Sequence, residues 1–239
     1  MKFKLSRQIL PEEFIKPISR AIRQQGVKVR LASKQMLQQI AEACSAIESS
    51  SLPSYLIRKK LPGNLGYGIF LHPKADPILK GTVIAPYAGI VSLVPQNTPD
   101  ESSGDYAFEP LANILLTKKE QLLCSSHQKY HPRRLYSLKL DALNRGNFTR
   151  FINHSDQPNI TAELISIKSK NAQELNSSPL EVLYMAKKTI YPGEQLLICY
   201  EGEDKSYWGA SNIKPFPMTS KTFQLKCLKG NHCQVVKLS

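Results

Sequence analysis

From Tyr55 onward the chain reads as short apolar runs broken by Gly and Pro: Tyr55–Ile57, Ile69–Leu71, Thr82–Tyr87, Ile160–Ile167, Val182–Ala186 and Gln195–Tyr200. This punctuation constrains the fold most, because runs so short suit strands and cannot carry long helices. Residues 111–123 alone among them read as a helix. The 239 residues, 41% of them apolar, suffice for the core of one medium domain with appendages or of two small ones.

Ahead of the runs, residues 1–52 read as a basic helical segment. Pro11 and Pro17 can each open a helix, Ile18, Ala21 and Ile22 share one face, and Gly26 reads as a stop. A second helix is predicted over residues 34–48 with Ser33 as its cap. Its stripe of Leu37, Ile40, Cys44 and Ile47 suits two partners: the main domain, or a second copy of the chain in a homodimer. Ser49-Ser50-Ser51 and Pro53 read as a linker. Residues 53–213 then form the main domain, and residues 214–239 a basic, partly ordered tail.

Charge follows the same division. Residues 1–60 carry 12 Lys/Arg against 4 Asp/Glu, residues 61–213 carry 15 of each, and residues 214–239 carry 5 Lys and no acid. The whole excess of +13 therefore sits in the flanks, where it can attract nucleic acid. Neither flank interleaves aromatics with its cations, which argues against a base-stacking surface. No stretch approaches the ~20 apolar residues that span a bilayer. The N-terminus lacks the apolar run of a secretory signal. Five cysteines (Cys44, Cys124, Cys199, Cys227, Cys233), odd in number and mostly far apart, argue against a disulfide framework and for a reducing compartment. The Asn-x-Ser/Thr triplets at Asn147, Asn153, Asn159 and Asn176 are too short a signal to mark glycosylation.

One segment stands out chemically: Asn144-Arg-Gly-Asn-Phe-Thr-Arg-Phe-Ile-Asn-His-Ser-Asp-Gln-Pro-Asn159. Asn153 and His154 directly follow the apolar pair Phe151-Ile152, which suggests polar groups held rigidly beside a buried site. A turn-rich connector is the plainer alternative.

Arg150-Phe-Ile-Asn-His-Ser155 followed by Pro158-Asn159 resembles the RFINHSCxPN signature of SET methyltransferases. Gly66-Tyr67-Gly68 resembles the family's GxG loop. Lys80–Gly89 resembles its strand ending in EYxG, with Pro86 in place of the acid. Gly193–Tyr200 resembles GEELTFDY. The resemblance covers roughly residues 55–208 and is closest to small bacterial SET proteins without Cys-rich flanking modules. It implies a mainly β fold with some α, built of small curved sheets in which the Asn-His-Ser segment threads under the loop bearing residues 193–200.

The resemblance also implies a protein-lysine methyltransferase using S-adenosylmethionine on histone or histone-like proteins. Tyr200 and Tyr106 take the catalytic roles. Gly66, Tyr67, Gly68, Arg150, Asn153, His154 and Trp208 bind the cofactor, and Tyr106, Ile198 and Tyr200 line the lysine channel. The chemistry is coherent: lysine, with a pKa of about 10.4 in water, must react as a neutral amine, and a dry aromatic channel disfavours its ammonium. Methyl transfer is then an in-line displacement governed by alignment. The expected location is the cytoplasm, or a host nucleus after export from a bacterium. A SET-fold binding protein without activity, recruited to nucleic acid by its flanks, is the competing expectation.

Three positions depart from the pattern. Asp156 replaces the signature cysteine that helps many members hold zinc. Cys227, His232 and Cys233 lack a fourth ligand, so no metal is expected. Ile198 stands where Phe or Tyr is usual, which predicts a roomier channel and di- or trimethylation. Cys199 replaces an Asp, and a thiol cannot reproduce a carboxylate's hydrogen bonds. The basic tail is expected to close the active site in place of a zinc-bound segment.

Overall fold

The computed structural model describes residues 5–96, 106–124, 131–167, 180–200, 216–227 and 233–238. Its helices are α1 (Glu12–Gln25), α2 (Lys34–Ser50) and α3 (Lys118–Cys124). Its strands are β1 (Arg30–Leu31), β2 (Leu56–Lys60), β3 (Tyr67–Leu71), β4 (Val83–Pro86), β5 (Ile90–Pro95), β6 (Ala107–Leu115), β7 (Leu135–Asp141), β8 (Asn153–His154), β9 (Ile160–Ser166), β10 (Leu180–Ala186), β11 (Leu197–Ile198), β12 (Phe223–Cys227) and β13 (Cys233–Lys237). They form small sheets ordered β1-β9-β10-β4 and β5-β7-β6, with the pairs β2–β3, β8–β11 and β12–β13. This is the mainly β architecture expected, and β10, an inner strand between β9 and β4, is buried along its whole length, Glu181 included. Among the described residues no helix is long and apolar enough to cross a membrane.

The N-terminal helices belong to the core. Leu10, Phe14, Ile18 and Ile22 of the first segment bury into the same cluster as Ile84, Ile114, Leu138 and Tyr184. Pro11 caps α1, Pro17 lies inside it, and Gly26 ends it in the left-handed conformation at φ 65°. The Ser33 hydroxyl caps α2 as expected, accepting from Met36 N at 3.1 Å. The buried stripe of α2 is Met36, Ile40, Ala43 and Ile47, while Leu37 is exposed. Met36 and Ile40 pack on Val83, Leu183 and Met185. The apolar face expected to serve either the domain or a homodimer is thus used inside the chain.

The predicted helix over residues 111–123 is instead strand β6 followed by α3. The β6–β7 register shifts between Phe108 and Leu111 and again between Leu111 and Ile114. These irregularities bury Leu111 and Ile114 three residues apart, imitating a helical stripe. The start of α3 is marked by a capping box. Glu120 Oε2 accepts from Thr117 N at 2.9 Å, and Thr117 Oγ1 accepts from Glu120 N at 3.3 Å.

Arg20 and Arg7 each tie the N-terminal segment to the main domain through an ion pair. Arg20 reaches Glu120 through both carboxylate oxygens, at 3.0 and 2.6 Å, and donates to Leu115 O at 2.8 Å. Desolvation pushes the Glu120 carboxyl up, but the bonds from Arg20 and Thr117 together outweigh it and bring it down to about 2. Arg7 Nε donates to Glu181, whose side chain is wholly buried in β10 and whose Oε2 has no partner among the described residues. There desolvation wins over Arg7 and raises the carboxyl above its ordinary value. Burial, with help from Glu181, also pushes the nearby Cys44 thiol up to about 11.

The basic tail is a correction. Rather than a partly ordered extension, its described residues form the β12–β13 hairpin, which packs Phe223, Leu225 and Cys233 against Phe70 and Leu197. Alternation explains it: Phe223 and Leu225 point inward while Lys226 is exposed. Cys227 and Cys233 are direct cross-strand partners and form a disulfide, so at this pair the expectation of reduced cysteines is overturned. A bridge inside one hairpin is not a framework, and sequence spacing alone does not reveal the register that makes the two residues face each other.

Candidate active site

The site is organised by the Asn-His-Ser segment. A 3-10 turn, Phe148–Phe151, leads into it, capped by Asn147 Oδ1, which accepts from Thr149 N at 3.0 Å. β8 then runs parallel to β11, pairing Asn153 with Leu197 and His154 with Ile198. Asn159 clamps the far end. Its Oδ1 accepts from Leu197 N at 2.7 Å and its Nδ2 donates to Gln195 O at 2.8 Å, while Ser155 N donates to Ile198 O at 2.9 Å. Residues 153–159 and 195–200 are therefore fastened side by side, as the threaded arrangement requires.

This fastening places Tyr200. Its backbone N donates to His154 Nδ1 at 3.0 Å, and its hydroxyl donates to Ile152 O at 2.8 Å. The other ring nitrogen of His154 faces Asp156 Oδ1 at 3.3 Å, which suits an imidazole protonated at Nε2. Both ring nitrogens are thus engaged within the protein, and the imidazole's evident work is to hold Tyr200. Asp156, at the position of the signature cysteine, contributes to that hold.

The Tyr200 ring lies 5.5 Å from that of His154, and an aromatic and cationic group is centred on Phe151, next in the chain to Ile152. Phe151 meets Tyr67 and Tyr106 edge-on at 6.0 and 6.3 Å. The guanidinium carbons of Arg58 and Arg150 lie 4.9 and 4.8 Å from the Phe151 ring centroid. Arg150 also sits 5.3 Å from the Tyr106 ring and donates to Ala142 O at 2.8 Å. Tyr87 stacks on Tyr184 at 5.2 Å and donates its hydroxyl to Tyr106 O at 2.6 Å, bracing Tyr106 from behind. Tyr184 is buried, and desolvation holds its phenol well above the usual range. Ile198 is buried and pairs with His154 across β8 and β11.

The glycine loop closes one side. Gly66 takes φ 70° with open space where a Cβ would project. A Cβ on Gly68 would meet Gln195 Nε2 at 2.6 Å, so this glycine makes room for the buried Gln195 side chain. Asn153 Nδ2 donates to Tyr67 O at 2.8 Å, tying the loop to β8, while no described residue donates to Asn153 Oδ1. An open backbone loop, a half-exposed aromatic and an available acceptor suit a zwitterionic, cationic cofactor such as S-adenosylmethionine.

Of the sequence-predicted residues, Tyr67, Arg150, Asn153, His154, Ile198, Tyr200, Tyr106, Gly66 and Gly68 come together here, whereas Trp208 lies outside the described residues. Arg58, Tyr87, Phe151, Asn159, Tyr184 and Gln195 were not singled out as site residues. Phe151 and Asn159 sat inside the long signature, and Tyr87 inside the strand motif, but Arg58 and Tyr184 carry no local signal. His72 was also missed. It lies with Cys227 and Cys233 so that one ligand atom of each falls within 4.8 Å of the others, whereas the expected neighbour His232 lies outside the described residues.

A chain of similar fold is that titled ATXR5 in complex with histone H3.1, with a TM-score of 0.52 and 16% identity over 84% of this chain and 80% of that one. Two structures of KRYPTONITE in complex with DNA and SAH, one of them also with a histone H3 peptide, match at TM-scores of 0.40 and 0.39 and 19% identity. They cover 64% and 65% of this chain but 25% and 26% of theirs. No curated protein matches. The SET domain matches residues 66–201, more than half of the chain, and the chain belongs to the SET domain family.

Proposed function

We propose that this protein transfers methyl groups from S-adenosylmethionine to lysine side chains of histone or histone-like proteins. One observation carries this reading: the Tyr200 hydroxyl is held on Ile152 O, and Phe151, the next residue in the chain, meets Tyr106 edge-on. The bound cofactor supplies an electrophilic methyl on a sulfonium. Tyr106, Phe151 and Tyr200 exclude water, which lowers the cost of a neutral lysine amine relative to its ammonium. The Tyr200 oxygen, its proton held by Ile152 O, can accept from that amine and orient its lone pair. The Gly66–Gly68 loop and Asn153 bind the cofactor, and His154 keeps Tyr200 in place. Arg150, anchored on Ala142 O, fixes the position of Phe151 and Tyr106. Ile198, smaller than an aromatic residue, leaves room for di- or trimethyl-lysine. Nucleic-acid contact through the basic flanks would bring the enzyme to chromatin-like substrates.

The test is transfer of labelled methyl to a histone mixture, with products resolved by mass spectrometry. Tyr200→Phe should lower the rate about 10²–10³-fold, the range for a lost transition-state hydrogen bond, with cofactor affinity retained. Wild type should progress beyond monomethyl-lysine. Equal rates in the two proteins would remove Tyr200 from the mechanism. A wild type that binds cofactor and DNA yet transfers nothing would favour a binding role.

A further inference from the structure

We propose that His72, Cys227 and Cys233 form a zinc site that exists when the hairpin disulfide is reduced. The three residues come from two distant parts of the chain. His72 directly follows β3, whereas Cys227 and Cys233 face each other across β12 and β13. One ligand atom from each lies within 4.8 Å of the others. Cys233 is buried, and His72 and Cys227 are half-buried. The hairpin's position is independently fixed, since Leu225 N donates to Gly193 O at 2.9 Å and Gln224 bridges Glu194. This is not the site that a signature cysteine would help build, because position 156 is an aspartate turned to His154.

Two thiolates and an imidazole are a borderline-soft set that suits zinc. Bonds of about 2.3 Å to sulfur and 2.0–2.1 Å to nitrogen put tetrahedral ligands roughly 3.5–3.8 Å apart, so the two sulfurs, about 2.05 Å apart in a disulfide, must separate by roughly 1.7 Å on reduction while the His72 nitrogen, within 4.8 Å of both, takes its place about 3.6 Å from each. His72 Nδ1 now accepts from Lys74 N at 3.0 Å. A metal on Nδ1 replaces that contact, and a metal on Nε2 moves the ring proton to Nδ1 and breaks it. Lys74 is exposed, so water can satisfy the released N–H. The fourth position falls to water.

The two states exclude each other. A thiol reductant breaks the S–S bond: two external thiols give up two electrons and two protons, become a disulfide, and leave Cys227 and Cys233 as thiols. Zinc then takes both thiolates and one imidazole nitrogen, and two protons pass to solvent.

The experiment uses the full chain, reduced with dithiothreitol and desalted without oxygen, then titrated with zinc against a chromophoric chelator. Reduced wild type should hold one zinc per chain and the oxidised protein none. Cys233→Ser should abolish binding, and His72→Ala should weaken it at least tenfold, with circular dichroism confirming that both variants fold. Cobalt(II) in place of zinc should give a sulfur-to-metal charge-transfer band that Cys227→Ser removes. No zinc on the reduced wild type would overturn the proposal. So would zinc whose affinity survives either Cys233→Ser or His72→Ala. None of these measurements depends on methyl transfer.

Discussion

The two basic flanks have opposite relations to the main domain. Three arginines of the N-terminal flank pair with acids of the main domain: Arg7 with Glu181, Arg20 with Glu120 and the exposed Arg30 with Glu163 at 3.3 Å. Three of that flank's 12 Lys/Arg are therefore matched by acids of the otherwise neutral middle. The C-terminal flank turns its charge outward. Lys221, Lys226 and Lys237 are exposed and form no ion pair among the described residues, while apolar residues alternate inward. The flanks also touch different things. Arg7 pairs with an acid near the start of β10, whereas the C-terminal segment meets the site itself, where the Ser155 hydroxyl donates to Met218 O. Net charge per segment does not distinguish these cases, because it counts cations without saying which of them are already paired.

The largest effect should come from Arg7→Ala, which leaves the Glu181 carboxylate buried without its cation. Removing one partner of a buried pair costs about 3–5 kcal/mol, and the partial exposure of Arg7 favours the lower end. At roughly 2–4 °C per kcal/mol for a chain of this size, calorimetry should record a drop of about 6–12 °C. Methyl transfer below the new midpoint should be unchanged, and a selective loss of activity would break the comparison. The acid limb sharpens it. Glu120, held at about 2 in the folded state, contributes stability above its unfolded value near 4.3 and loses it as pH falls toward 2. Glu181, raised in the folded state, has the opposite sign: its contribution improves as pH falls toward the unfolded value. Urea midpoints should therefore fall less steeply in acid for Glu120→Gln and more steeply for Glu181→Gln. Parallel curves would mean that the pairs are equivalent.

Next in size is Ser155→Ala, which strips the buried Met218 carbonyl of its donor. An unsatisfied buried group costs about 1–3 kcal/mol. Because Ser155 N also bonds Ile198 O, the loss should reach Tyr200 and appear as weaker cofactor binding in calorimetric titration, beyond a modest fall in stability. Unchanged cofactor affinity would reduce the C-terminal hairpin to a structural cover like the N-terminal helices.

Much of this was legible in sequence, unevenly. The Asn-His-Ser signature singled out Asn153 and His154, and the Gly193–Tyr200 motif singled out Tyr200, because each lies on a short contiguous segment. The cap at Ser33 and the stop at Gly26 were readable for the same local reason. The Thr117–Glu120 capping box was equally local but was hidden under a false helical period, produced when shifts in the β6–β7 register bury Leu111 and Ile114 three apart. The inward turn of Arg7, the pairing of Cys227 with Cys233 and the approach of His72 depend on tertiary register, which local periodicity does not encode. His154 was expected to bond the cofactor, and the backbone of Tyr200 that occupies its Nδ1 lies 46 residues away.

The smallest effect tests the outward charge of the C-terminal flank. Replacing Lys221, Lys226 and Lys237 together with Gln should leave the fold intact, since exposed substitutions of this kind usually change stability by less than about 0.5 kcal/mol each. If the proposed nucleic-acid contact runs through this flank, each lysine neutralises up to one phosphate. The slope of log affinity against log salt for duplex DNA should then become shallower by roughly 0.9 per lysine lost. Arg7→Ala should leave that slope alone, because its charge is already matched by Glu181. A lysine variant with the wild-type slope, or an Arg7 variant with a shallower one, would reverse the assignment of the two flanks. The measurement separates charge that is present from charge that is available, and a polyanion can use only the second.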